Sequence, residues 1–170
     1  MPKATRKKPL SLTNCSIAFA LEVIGDRWTL LLLRELFRGT CRFGEFAEML
    51  GAARNLLSER LKKLEDNGLV ERFPLADSPG RDGYRLTDMG ESTFPILVSL
   101  MQWGDEWLAP AAGPPVILQD RRSGKALGVA VLPQSQLPKS VPSAAVRLTA
   151  GPGARKGTRS LIASIEARRS

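Results

Sequence analysis

The chain has 170 residues, of which 43% are hydrophobic and 25% charged, and it carries a net charge of +8. This composition supports a packed core rather than whole-chain disorder, and the longest apolar run, cut by Arg34 and Glu35, is too short to span a membrane. With no histidine, only two cysteines (Cys15 and Cys41) and no glycine-rich phosphate loop, neither an enzyme, a cofactor nor a metal site is expected.

The first twelve residues form a basic arm containing Lys3, Arg6, Lys7 and Lys8. No apolar stretch follows them, so a secretory signal is not expected and a cytoplasmic location is. Thr13 or Asn14 can cap a helix whose apolar positions at 17, 18, 20, 21 and 24 follow the helical period until Gly25-Asp26. A second, strongly apolar helix is predicted over about 28–37 and ends at Gly39. Phe43, Phe46, Ala47 and Leu50 mark one face of a third helix, closed by a turn at Gly51.

The fourth helix, about 53–67, aligns Leu57, Leu61 and Leu64 on one stripe. It places Asn55, Ser58, Glu59 and Lys62 within about 80° of the opposite direction. Leu69–Phe73 and Tyr84–Leu86 then read as two strands around a polar loop of roughly ten residues. Asp88 and Glu91 have the spacing of a capping box before a helix running to about Leu108, which Pro95 should kink or restart. Helices 43–50 and 53–67, joined by a tight turn and followed by a hairpin, make a winged helix-turn-helix: mainly α with a small β-hairpin wing, over residues 13–112.

A recognition helix must offer polar side chains to base edges while its other stripe holds the core. On helix 53–67, Asn55 suits adenine edges, and Ser58 and Lys62 suit bases or phosphates. Arg54 flanks that face near the helix start. Glu59 can accept from cytosine, with Lys62 or Lys63 offsetting its charge against phosphates. The same side chains also fit the plain solvated face of a surface helix.

Several stretches resemble the HxlR-type winged-helix transcriptional regulators. They are Ile24-Gly25-Asp26-Arg27-Trp28-Thr29, Leu33-Arg34-Glu35-Leu36, Arg42-Phe43-Gly44-Glu45-Phe46, Leu57 to Glu65, Gly68 to Arg72, Tyr84-Arg85-Leu86-Thr87, and Trp103-Gly104 with Trp107. Their order and spacing over about 13–109 carry the likeness, more than any single piece.

The resemblance implies a sequence-specific regulator of double-stranded DNA, most simply a repressor. It would act as a homodimer on an inverted repeat and respond to an electrophile, oxidant or small ligand. It implies that Arg42 anchors a phosphate; Arg81 and Arg85, by their position, flank the wing and can reach the minor groove or backbone. Arg60, nearer the core stripe, is expected to pair with a carboxylate. Cys15 matches the place of a sensing cysteine, at a helix start where the dipole can lower a thiol pKa. Burial as a small apolar residue explains it equally simply. The first and last helices would form the dimer, through Ile17, Leu21, Phe94, Leu97, Met101, Trp103 and Trp107, while the aromatics can also close the monomer core; both roles, divided between faces, are expected.

Charge separates the remainder. Residues 1–112 hold 15 basic and 15 acidic side chains, and 13–112 without the arm sum to −4; residues 113–170 hold 10 basic and 2 acidic. Pro114-Pro115, Ser123-Gly124 and Gly151-Pro152-Gly153-Ala154 resemble landmarks of a zinc-ribbon-like C-terminal region in longer family members, here without its cysteines. Two readings of 113–170 stand: a small degenerate β module, with strands near 116–118, 127–132 and 145–148, or a partly disordered basic tail. For the whole chain the alternative to a regulator is a winged-helix protein-interaction module, which would lack the steep salt dependence of phosphate binding.

Overall fold

The computed structural model describes residues 15–132, 135 and 142–169. They form two compact units, one from residues up to 36 together with 40–87, the other from 37–39 and 88 onward. Among the described residues no helix is long and apolar enough to cross a membrane.

The first unit opens with α1 (Ser16–Ile24), for which Cys15 occupies the cap position without a side-chain cap. The expected caps Thr13 and Asn14 lie outside the described residues. The Gly25 N–H donates to Leu21 O at 2.9 Å, and a Cβ there would fall 2.3 Å from the same oxygen. Only glycine can close the helix this tightly.

Helix α2 (Arg27–Phe37) buries Leu32, Leu33 and Leu36. It also buries Glu35 completely, and the Glu35 carboxylate is paired with Arg34 at 2.6 Å. A buried charge needs such a partner, because its desolvation otherwise costs several kcal/mol (of order, by ion-transfer arguments).

Helix α3 (Phe43–Leu50) ends at Gly51, whose φ of 60° is the left-handed conformation glycine tolerates. Helix α4 (Arg54–Asp66) follows after one short turn. Phe46 from α3 and Leu57, Leu61 and Leu64 from α4 are almost wholly buried, each contributing about 1.5–3 kcal/mol of transfer free energy. Strands β1 (Val70–Pro74) and β2 (Asp82–Leu86) pair antiparallel, from Val70 opposite Leu86 to Pro74 opposite Asp82. Both strands reach further than the sequence suggests, so the wing loop shrinks to residues 75–81.

In the second unit a single turn, α5 (Asp88–Glu91), precedes α6 (Phe94–Trp107). Pro95 lies in the first turn of α6, where its missing N–H has no intrahelical partner to lose. The helix is therefore restarted rather than kinked.

The described part of 113–170 is folded. Strands β3 (Val116–Asp120) and β4 (Val146–Ala150) pair antiparallel with Leu118 opposite Leu148, and α7 (Lys156–Arg169) follows them. Val98 of α6 joins Leu118, Val146, Leu148, Ile162 and Ile165 in one core, against which Phe94 and Met101 also pack. The Phe94 ring lies 5.0 Å from that of Phe37. Two residues expected at a dimer interface, Phe94 and Met101, are thus directed into their own unit's core.

Of the three strands expected in a small β module, those near 116–118 and 145–148 form. No strand forms over 127–132: a single bridge joins Gln119 to Ala126, and beyond it the Val129 N–H donates to the Gln102 side chain at 2.6 Å instead of to a strand. Helix α7 is absent from the sequence expectation. No group of His, Cys, Asp or Glu among the described residues is arranged to hold a metal ion.

Candidate nucleic-acid interface

The geometry of the first unit is set from α2 outward. Asp26 Oδ1 accepts from the Trp28 and Thr29 N–H groups, each at 3.1 Å, and Oδ2 bonds the Thr29 hydroxyl. Burial pushes the Asp26 carboxyl up, but the Thr29 bonds, the Arg60 charge and the Trp28 N–H outweigh it and hold the net below the ordinary value. Arg60 Nε of α4 lies 3.2 Å from Asp26 Oδ1, and its Nη1 is 2.7 Å from Glu59 Oε1. The expected pairing of Arg60 with a carboxylate is therefore found. One carboxylate both caps α2 and ties α4 to it.

On the other side of α4, Asn55, Ser58, Glu59 and Lys62 are exposed, and Lys63 is half-buried. This row is available to solvent because Leu57, Leu61 and Leu64 take the opposite stripe into the core. Asn55 Oδ1 accepts from the Leu56 N–H at 2.9 Å; a bidentate contact to adenine requires that local bond to open. Lys62 pairs with Asp66 at 3.1 Å, one helical turn away. Both partners are well exposed, and such pairs are weak enough for a phosphate to replace the carboxylate. Arg54 stacks its guanidinium 5.0 Å from the Phe43 ring centroid, which aims it from the start of α4 across the helix-turn-helix.

The wing is pinned at its base and at its tip. The Tyr84 N–H donates to Cys41 O at 2.8 Å, and the Tyr84 ring meets Phe46 edge-on at 6.2 Å. Leu75 is buried under the loop beside Gly83, where a Cβ would fall 2.9 Å from both Leu75 Cδ2 and Phe73 Cε1. The loop is closed by the Leu75 N–H donating to Arg81 O at 3.0 Å.

Arg42 departs from expectation. Its guanidinium bonds the Asp77 carboxylate and donates to Ser78 Oγ at 3.1 Å, and the hydrogen bond from Arg42 holds the Asp77 carboxyl below its usual range. Arg42 therefore fastens the wing loop to the start of α3 instead of standing open to a phosphate. Asp77 and Ser78 were invisible as functional residues, being 35 and 36 positions from Arg42 in a polar stretch. Arg85 is likewise engaged, 2.7 Å from Glu71 and over the Phe73 ring. Arg81 is exposed at the loop end and makes no ion pair among the described residues.

Cys15 is exposed and Cys41 half-buried, and no disulfide joins them. Of the expected dimer residues, Ile17 (70% exposed) and Leu21 lie open on α1. On α6, Trp103 (59%) and Trp107 (67%) are open, together with Ile96 and Leu100. Leu97 is half-buried.

Comparison with known proteins agrees with this geometry. A family model described as an HxlR-like helix-turn-helix matches residues 23–112. An HTH-type transcriptional regulator of Mycobacterium tuberculosis is 48% identical over 110 residues, covering 65% of this chain and 70% of the relative. The crystal structure of PA1607, a candidate transcription factor, superposes with a TM-score of 0.69 at 36% identity and covers 78% of this chain and 94% of that one. The redox regulator HypR in its oxidized form superposes with a TM-score of 0.51 at 31% identity, over 54% of this chain and 96% of its own. With its helix-turn-helix, wing and motif order matched together, the chain belongs to the HxlR-like helix-turn-helix family.

Proposed function

We propose that this sequence-specific DNA-binding transcriptional regulator works in the cytoplasm as a homodimeric repressor, reading an inverted-repeat operator through α4. The observation that carries the reading is the exposed row Asn55, Ser58, Glu59 and Lys62, held outward by a fully buried leucine stripe beside a pinned wing. Arg54 and Lys63 border that row, and Arg81 and Arg85 reach from the wing toward phosphates. Arg42 contributes by fixing the wing, and it meets a phosphate only by exchanging Asp77 for it.

A second copy accounts for the apolar surface. Ile96, Leu100, Trp103 and Trp107 recur at helical spacing on one exposed stripe of α6, and Ile17 and Leu21 do so on α1. Contiguous apolar surface of this kind marks interaction sites in soluble proteins. A twofold dimer places two recognition helices about one DNA turn apart. Cys15, exposed at the start of α1, is the thiol through which an oxidant or electrophile would act. The similarity to a redox regulator supports that reading.

The test is operator affinity of Asn55→Ala, Lys62→Ala and Arg54→Ala. The first should lose about 1–3 kcal/mol, most of it at one base position. Lys62→Ala and Arg54→Ala should weaken binding to all sequences alike. Wild-type binding by all three, with the protein folded, would remove α4 from the interface.

A further inference from the structure

The helix-turn-helix is poorly charged for the polymer it binds. Residues 13–112 hold eleven basic and fifteen acidic side chains, a net of −4. Six of these eleven cations, Arg34, Arg42, Arg60, Lys62, Arg72 and Arg85, sit in ion pairs, so those that meet DNA must exchange a carboxylate for a phosphate. Affinity for duplex DNA comes largely from cations that displace condensed counterions from phosphates. Residues 13–112, acidic in sum, supply a modest share of it.

The folded C-terminal module has the opposite balance. Residues 113–170 hold ten basic and two acidic side chains, and both carboxylates are occupied. Asp120 accepts from the Ser123 hydroxyl at 2.6 Å and from the Arg122 N–H at 3.1 Å. Glu166 takes Arg121 at 2.8 Å and the Leu148 N–H at 3.0 Å.

At that same end of the module the topology gathers exposed cations. Arg122 and Lys125 stand in the turn after β3, closed by the Asp120 N–H bonding Lys125 O at 2.9 Å. Arg147 lies opposite Gln119, whose other side bridges Ala126, next to Lys125. Arg147 and the turn segment carrying Lys125 thus flank β3 on either side, two strand spacings or about 10 Å apart. All three side chains are exposed and form no ion pair among the described residues.

We infer that this end of the C-terminal module, centred on Arg122, Lys125 and Arg147, is a second DNA-binding surface that grips the phosphate backbone of duplex DNA without reading its sequence. It adds electrostatic affinity that residues 13–112 supply only weakly, leaving base selection to α4. The inference rests on the reading of the chain as a DNA-binding regulator, but not on its recognising an operator.

The experiment compares the full-length protein with Arg122→Gln/Lys125→Gln/Arg147→Gln on a random-sequence duplex across a salt series. Three lost phosphate contacts should make the slope of log affinity against log salt shallower by about 2–3, with affinity near physiological salt falling about tenfold or more. The ratio of operator to random affinity should not change. Arg155→Gln/Lys156→Gln/Arg159→Gln removes the same charge elsewhere in the module and should leave the slope nearly as in wild type.

An unaltered slope in the first variant would overturn the inference and leave the patch to an anionic protein or to solubility. Equal losses in both variants would overturn it too, because the effect would then belong to diffuse net charge. Should the turn variant not fold, Arg122→Gln/Lys125→Gln makes the same test with a slope change of about 2. A protein without sequence preference that still shows the slope change would defeat the operator reading and uphold this one.

Discussion

At Asp26 one carboxylate meets three demands. It caps α2 through the Trp28 and Thr29 N–H groups, bonds the Thr29 hydroxyl and lies 3.2 Å from Arg60 on α4. Asp26→Ala should lower stability by about 1 kcal/mol, the usual loss for a helix cap. The carboxyl is held below its ordinary value of 3.8, so its ionised form stabilises the fold. That contribution is complete above pH ~4 and is lost as pH falls through the depressed folded value. Urea titrations should show the gap between variant and wild type at pH 7 and a narrower gap at acid pH; a gap independent of pH would mean that ionisation plays no part.

Single residues were legible where their partners lie close in the chain. The pairing of Arg60 with a carboxylate follows from its angle to the leucine stripe, and Glu59 is its neighbour. The Arg42–Asp77 pair joins the start of α3 to the wing loop, a contact made only once the hairpin has folded back. No periodicity reports it.

At the level of elements, strong patterns were read correctly and weak ones were not. Helices α1 to α4 each carry an apolar stripe bounded by glycine or a capping group, and their bounds match expectation within one or two residues. The wing carries its specification in Gly83, where the backbone passes so close to Leu75 and Phe73 that a methyl group cannot fit without displacing them. Gly83→Ala should cost about 1 kcal/mol, at the low end for overpacking because both neighbours are side-chain ends. It should also weaken DNA binding by moving the loop that carries Arg81. Thermal melting and a binding titration check the two effects; an undisturbed wing would leave both unaltered.

Helix α7 was missed because Gly157, Thr158 and Ser160 are weak helix formers and its buried stripe is thin, with Ile162 and Ile165 alone fully enclosed. Its stability comes from packing on β4, which sequence periodicity does not register. The expected strand at 127–132 failed for the converse reason. Its residues have strand character, but the Val129 N–H finds the Gln102 amide before it finds a strand.

For the whole molecule, the division of charge and the division into units do not coincide. Composition separates residues 113–170 from the rest, yet α6 contributes Val98 to the core of that extension, and the compact units part between Thr87 and Asp88. Helix α6 therefore has one side committed to its own core. Its other side, with Ile96, Leu100, Trp103 and Trp107, is exposed. Sequence counted the aromatic and aliphatic surplus of this helix but could not assign its faces, because a folded C-terminal module to claim Phe94 and Met101 was itself only one of two readings, and α7 was in neither.

That helix α4 reads DNA as one of two copies is the proposal, and selection of bound sequences from random duplex DNA by the full-length reduced protein tests both halves of it at once. The expected product is an inverted repeat with half-sites about one helical turn, roughly 10 base pairs, apart. Enrichment of a single unrepeated site would contradict the dimer. Recovery of no preferred sequence by folded protein would contradict the assignment of α4 as a recognition helix.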